Sequence, residues 1–242
     1  MNGPSWLAAR PIAHRGLHDM NRSVWENTLT AFARAIERNY AIECDVNLSA
    51  DGVPIVIHDS ELRRLTGADG FVWQRTAAEL GALSVGGTAD HPPTLQEMLD
   101  VVAGRVPLVI ELKGAPGHDA ALVEQVGALL KTYAGEAAIM SFDHWLVRDF
   151  SRHAPGIPAG LTALGSNQAE IEAHFSMLAH DICFVSYCLA DMPNRFVDFV
   201  RGRLAMPVIT WTVRDRAAVD KTYALAEQMT FEGFLPEELA IA

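Results

Sequence analysis

Four short clusters hold side chains that together could break a phosphodiester: His14-Arg15-Gly16, Glu43-Cys44-Asp45, His58-Asp59 and Glu111-Leu112-Lys113. They supply two imidazoles, at least three carboxylates, a guanidinium and an ammonium. A phosphodiester is a resistant anion. Cleaving it requires neutralising its oxygens and moving protons to and from oxygen. Carboxylates gathered around a divalent ion, with Arg15 and Lys113, suit the first task. Two histidines, whose ordinary pKa lies near 6.5, suit the second at neutral pH.

Each cluster closes an apolar run that reads as a β-strand, so the elements behind the clusters can be inferred next. The strands are expected at 11–14, 41–48, 108–113, 138–142, 159–163, 183–187, 208–213 and 230–234. Between them lie amphipathic stretches of helical length at 28–38, 95–103, 119–133, 144–153, 168–179, 194–204 and 216–228. Thr94 with Glu97, and Thr212 with Asp215, have the spacing of capping boxes. Eight strand–helix repeats within 242 residues predict an α/β fold, a single TIM (β/α)8 barrel domain over residues 1–242. A doubly wound open sheet is the competing architecture. No Gly-rich nucleotide fingerprint follows the first strand to support it.

One segment breaks the alternation. Residues 53–58 form another strand-like run, joined to the second strand through Asp51-Gly52, a strong hairpin turn signal. Residues 60–93 then read as an insertion over the C-terminal mouth of the barrel. Phe71 and Trp73 within it either anchor it to the barrel or line a groove, and anchoring is the preferred reading.

Strand parity places the charges. Glu43, Asp45 and Asn47 share one face of the second strand, and Cys44, Val46 and Leu48 share the other. The apolar set should meet the helices, which turns the carboxylates into the barrel. In the same way Glu111 and Lys113 share a face with Val109. Carboxylates buried there need partners, because desolvating an isolated ion costs several kcal/mol. Three converging carboxylates favour Mg2+ or Ca2+. Zinc is disfavoured, since no Cys/His ligand spacing is present.

Composition narrows the class. Half the residues are apolar, enough for one large core. The formal net charge is −11, with no run of Lys and Arg, which argues against nucleic-acid binding. Cys44, Cys183 and Cys188 are sparse and read as reduced thiols of a cytoplasmic protein. No signal peptide, membrane-spanning segment or amphipathic membrane helix is read, so no stable membrane association is expected. The sequence is silent on oligomeric state.

The motifs Ala13-His-Arg-Gly16, Glu26-Asn-Thr28, Ile42-Glu-Cys-Asp-Val46, Asp51-Gly52, His58-Asp59, Glu111-Leu-Lys113 and Trp211-Thr-Val213 resemble those of the glycerophosphodiester phosphodiesterases in order and spacing, from about residue 11 to about residue 236. The resemblance implies a TIM barrel with a small insertion after the second strand. It implies hydrolysis of small-molecule glycerophosphodiesters to glycerol 3-phosphate and an alcohol. By the same resemblance Glu43, Asp45 and Glu111 bind the metal, and His14 and His58 are the acid/base pair. Arg15 and Lys113 hold the phosphate, Glu26 and Asn27 complete the site, and Trp211 contacts the alcohol. Trp211 also reads as an ordinary core residue, and Glu26 and Asn27 as the start of a helix. The chain departs from the family in two places: Trp25 stands where Pro is usual, and the last strand ends in Phe231-Glu-Gly-Phe-Leu-Pro236 where many members have a Thr-Asp pair. Both are expected at the pocket edge. Competing readings are a lysophospholipase D or a sugar-phosphodiester phosphodiesterase on the same site, or a non-catalytic barrel that captures phosphorylated ligands.

Overall fold

A computed structural model describes residues 3–239. The first two and last three residues of the expected domain lie outside the described range. Eight parallel strands close into a barrel: β1 (Ile12–Ala13), β2 (Ala41–Leu48), β4 (Leu108–Leu112), β5 (Ala137–Ser141), β6 (Ala159–Ala163), β7 (Phe184–Cys188), β8 (Val208–Val213) and β9 (Gln228–Phe231). Closure comes from β1, which pairs with β9 on one side and β2 on the other. This is the expected (β/α)8 barrel. The expected hairpin also forms, as β3 (Pro54–Val56), antiparallel to β2 with Val46 opposite Val56.

The helices between the strands are α1 (Leu29–Glu37), α4 (Leu95–Val102), α5 (Leu122–Thr132), α6 (His144–His153), α7 (Gln168–Met177), α8 (Arg195–Leu204) and α9 (Arg216–Leu225). Several starts are fixed by side chains that accept otherwise orphaned backbone N–H groups. The Thr94–Glu97 capping box forms as expected. The one expected at Thr212 does not. Thr212 still belongs to β8, and the cap of α9 is Asp215, which accepts from Ala218 N at 2.8 Å. The same helix stops at Leu225, so Gln228 opens the last strand instead of ending the helix.

Within the insertion lie two short helices, α2 (Arg63–Thr66) and α3 (Ala77–Gly81). Ile55, Ile57, Leu62, Leu65, Val72 and Leu80 form a small apolar core of their own beneath them. Trp25 packs on that core and against Gly86, where an added Cβ would fall 1.9 Å from the indole. Trp25 therefore fastens the insertion and does not form the pocket edge expected of it. Phe71 stacks on Trp73 (centroids 4.6 Å apart), and Trp73 stacks on His118 in the β4–α5 loop (4.8 Å). The aromatic pair thus anchors the insertion, as the sequence reading preferred.

The barrel has two apolar layers. Cys44, Val46, Ile110 and Leu112 face the helices within the larger cluster. Leu7, Ile12, Ala41, Val109, Ala138, Phe184 and Ile209 fill the lower lumen. That packed floor leaves only the upper lumen for polar groups. All three cysteines are free thiols. His174 is buried against Tyr187 and Phe196. Among the described residues no helix is long and apolar enough to cross a membrane.

Candidate active site

Above the lumen floor, parity delivers the charged side chains to one cavity of about 220 Å³. It is lined by His14, Arg15, Glu43, Asp45, His58, Glu111, Lys113 and Trp211 among the expected residues. Glu26 and Asn27 are not on its wall; they sit behind it. A larger cleft of about 410 Å³ lies beyond Gly233, but it shares no lining residue with this cavity and contains none of the four clusters.

The turn after β1 is sharply built. Arg15, Gly16 and Asn27 all have positive φ (55°, 80° and 56°). A Cβ on Gly16 would lie 2.9 Å from Ala31 Cβ and from the Phe32 ring, so only glycine fits. Asn27 N donates to Arg15 O at 2.9 Å, and Arg15 N donates to Glu43 Oε2 at 3.0 Å. Backbone strain of this kind persists only where surrounding contacts over-determine it. Here those contacts tie the turn to the second strand.

Glu43, Asp45 and Glu111 are all at least 95% buried, and one oxygen from each lies within 4.8 Å of the others. Asn27 Nδ2 donates to Asp45 Oδ2 at 2.9 Å, and Lys113 Nζ lies 3.1 Å from Asp45 Oδ1 and in closer contact with Glu111. Arg15 Nε lies 3.2 Å from Asp45 Oδ2. Burial and the neighbouring charges of Asp45 and Glu111 push the Glu43 carboxyl well above its ordinary range. Burial also raises Glu111, to about 7, against the pull of Lys113. Burial opposes ionisation of Asp45 as well, but Lys113 and Arg15 hold it below the ordinary range. Two cations, Arg15 and Lys113, face three carboxylates, which leaves the set short of positive charge. Oxygen donors at this spacing fit one divalent ion, which would complete the balance.

The two imidazoles are held alike. His14 Nδ1 is 2.5 Å from Glu232 Oε2, and His58 Nδ1 is 2.6 Å from Asp59 Oδ1. A carboxylate only accepts, so each Nδ1 carries the proton, and Nε2 of each neutral ring keeps its lone pair. His14 Nε2 lies 3.9 Å from Glu43 Oε2. Burial lowers the pKa of both histidines, more than offsetting Glu232 for His14 and Asp45 for His58. Each carboxylate is held in turn by an arginine. Arg214 meets Glu232 Oε1 at 2.7–2.8 Å, and Arg64 meets Asp59 at 2.5 and 3.1 Å. His18 Nε2 is a further 3.6 Å neighbour of Glu232.

Sequence reasoning gave Glu232 no role beyond the pocket edge, Asp59 none beyond its place in the His58-Asp59 cluster, and Arg64 and Arg214 none at all. Glu232 was within reach of the parity rule, since it continues, one residue past the end of the last strand, the alternation of Gln228 and Thr230. The fourth wall is neutral: Met140, Phe142, Ser186, Trp211 and Thr230. Trp211 packs edge-on against Phe142 (5.3 Å, 87°) and donates from Nε1 to Ser186 O at 3.3 Å.

Residues 14–235 match the model of the glycerophosphoryl diester phosphodiesterase family. The chain is 35% identical over 164 residues to the glycerophosphodiester phosphodiesterase of Caldanaerobacter subterraneus, covering 62% of this chain and 65% of that protein. It is 32% identical over 161 residues to one from Bacillus altitudinis, covering 60% and 63%. The matched stretches therefore span just under two thirds of those relatives. Two solved structures share the fold over nearly their whole length. One is an Oleispira antarctica phosphodiesterase in complex with the product sn-glycerol-3-phosphate, with TM-score 0.80, 24% identity, and coverage of 96% of this chain and 95% of that one. The other is a glycerophosphodiester phosphodiesterase from Agrobacterium tumefaciens, with TM-score 0.76, 24% identity, and coverage of 96% and 99%. The chain belongs to the glycerophosphoryl diester phosphodiesterase family.

Proposed function

We propose that this protein hydrolyses small glycerophosphodiesters to glycerol 3-phosphate and an alcohol. The observation that carries this reading is the pairing of two carboxylate-oriented histidines with a buried carboxylate trio in one cavity. Glu43, Asp45 and Glu111 would hold a divalent ion, Mg2+ or Ca2+. When bound, that ion supplies charge neutralisation at the phosphate oxygens. Arg15 and Lys113 add preorganised positive charge beside it.

The acid/base work falls to His14 and His58 through their Nε2 atoms. One imidazole takes the proton from the nucleophile, a water or the substrate's own glycerol hydroxyl, and the other, as imidazolium, gives a proton to the leaving oxygen. On the second route a water then opens the cyclic phosphate, so both end in glycerol 3-phosphate. Glu232 and Asp59 keep each ring in the required tautomer and stabilise its charged form. Asn27 and Glu26 act one layer out, orienting Asp45 and Arg15. Trp211 and Phe142, the latter with its ring centroid 5.9 Å from Lys113 Nζ, give the alcohol half of the substrate an apolar wall beside the charged one.

A cavity of about 220 Å³ favours a small headgroup over a lipid chain. Drug-sized ligands occupy clefts of roughly 300–1,000 Å³. The net charge of −11 also disfavours an anionic lipid surface. The test is turnover of glycerophosphocholine, glycerophosphoethanolamine and lysophosphatidylcholine, with and without chelator, followed by phosphorus NMR. Glycerol 3-phosphate should form from the first two substrates and only in the presence of metal. Full activity in excess EDTA would remove the metal role, and preferred cleavage of the lysolipid would move the substrate class.

A further inference from the structure

Arg64 belongs to the insertion, not to the barrel, yet it touches both halves of the site. Its guanidinium uses two edges. Nη1 and Nη2 donate to Glu26 Oε2 and Oε1 at 3.0 and 2.8 Å. Nε and Nη2 donate to Asp59 Oδ2 and Oδ1 at 2.5 and 3.1 Å. Each carboxylate then passes the constraint on. Asp59 Oδ1 holds His58 Nδ1 at 2.6 Å, and Glu26 Oε1 accepts from Arg15 Nη1 at 2.7 Å. Asn21 Nδ2 takes the remaining Glu26 position at 2.6 Å, so both Glu26 oxygens are fully engaged by protein donors.

We infer that Arg64 is a positioning residue that makes docking of the insertion a condition for assembling both the phosphate clamp, Arg15, and the acid/base residue His58. This rests on the functional reading above and adds a dependence that the four clusters do not contain. Two features of the geometry support it. First, Arg15 is drawn between Glu26 and Asp45, with its Nε 3.2 Å from Asp45 Oδ2. Glu26 is 95% buried, and without Arg64 its charge would fall on Arg15 and Asn21 alone, pulling Arg15 off Asp45. Second, Asp59 takes two of its three side-chain contacts from Arg64, so its own orientation, and through it that of the His58 ring, depends on the guanidinium. A planar guanidinium grips both carboxylates bidentately in fixed directions; an ammonium can touch two carboxylates, as Lys113 does, but only with three donors from a single point.

Arg64→Ala, Arg64→Lys and Asp59→Asn should be compared with wild type in the presence of Mg2+ or Ca2+, with glycerophosphocholine as substrate. In Arg64→Ala, kcat should fall about 10- to 100-fold, the usual scale for losing an orienting partner, and KM should rise as Arg15 shifts. Guanidinium ion, but not urea at equal concentration, should restore part of kcat, and Arg64→Lys should recover less than guanidinium does. Asp59→Asn should lower kcat while leaving KM near wild type. Added to Arg64→Ala, it should cost less than the product of the two single effects, because both break the same path.

Proton NMR gives a readout that simple destabilisation would not. Two low-field imidazole Nδ1–H signals are expected, one for His14 and one for His58. Arg64→Ala should move only the His58 signal. Unchanged kcat and an unchanged His58 signal in Arg64→Ala would overturn the inference, as would full activity in Arg64→Lys. Loss of both signals together would also overturn it, by pointing to general unfolding. Failure of wild type to turn over the substrate would instead strike the functional reading, and the NMR comparison would still test the path from Arg64 to His58.

Discussion

Around His14 the orienting carboxylate, Glu232, comes from 218 residues away, whereas His58 uses its own neighbour, Asp59. Both carboxylates are backed by an arginine, but the arginines differ. Arg214 ends its path at Glu232, while Arg64 continues through Glu26 to Arg15. The supports differ as well. Glu232 follows directly on the closing strand of the barrel and its side chain is 7% exposed. Asp59 stands between the added hairpin strand β3 and the insertion, at 25% exposure. The same imidazole–carboxylate unit is therefore built once on the rigid sheet and once on an added element. The first is fixed by barrel closure, and the second by how the insertion docks.

The comparison can be broken most sharply at the rings themselves. His14→Ala and His58→Ala should each lower kcat by about 10²–10⁴-fold, the span of one general acid or base. Steady-state turnover of glycerophosphocholine measures this. A variant that keeps wild-type kcat would remove its histidine from the pair.

One step back, Glu232→Gln and Asp59→Asn test whether the two supports are equivalent. Each should cost roughly 10- to 100-fold in kcat. Glu232→Gln should be the more damaging, because the more deeply buried Glu232 also meets Arg214 and His18. Equal losses would mean that rigid placement adds nothing over a neighbouring residue.

Acid should separate the two regions next. Burial works against ionisation of Glu26, but the Arg64 hydrogen bonds and the charge of Arg15 lower its pKa to about 2 from an ordinary 4.5. A carboxyl held below its ordinary value contributes stability above that value and loses it as the pH falls towards the folded-state one. The contribution is about 3 kcal/mol, present above pH 4.5 and fading towards pH 2. Urea unfolding at several pH values between 2 and 5 should show this slope in wild type. Glu26→Gln should flatten it, and an unchanged slope would mean that the Arg15–Glu26–Arg64 unit does not stabilise the fold.

The smallest effect should come from Arg214→Ala. Its side chain is 58% exposed, and exposed ion pairs are worth about 1 kcal/mol or less. Less than about tenfold should be lost in kcat, well below the loss for Arg64→Ala. A larger loss would show that the His14 side also relies on its arginine.

Most of the charged wall was legible in the sequence, for a local reason. Alternation along β2 and β4 separates Glu43, Asp45, Glu111 and Lys113 from the apolar positions that meet the helices, and that separation survives any detail of packing. The same rule applies to Gln228, Thr230 and Glu232, yet it could not pair Glu232 with His14. That contact exists because β9 closes onto β1, in the register that sets Thr230 beside Ile12. Asp59 stood in view beside His58, but nothing local shows that its carboxylate turns to Nδ1. Arg64 lay in a stretch with weak periodicity. Its role depends on the docking of a small apolar core formed by Ile55, Leu62, Leu65 and Leu80. Trp25 misled because its partner, Gly86, is 61 residues away and is visible only once that core is in place.

The sequence by itself determined the period of the elements, the order of the clusters along the chain and the face on which each charge sits. All three follow from local backbone geometry, which neighbouring residues set. The tertiary structure decided which charges share partners. It joined Glu232 to His14, joined Arg64 to both Glu26 and Asp59, and left Glu26 and Asn27 behind the cavity wall. Those outcomes depend on barrel closure and on insertion docking. Both bring together residues far apart in the chain, through side-chain packing that no local pattern encodes.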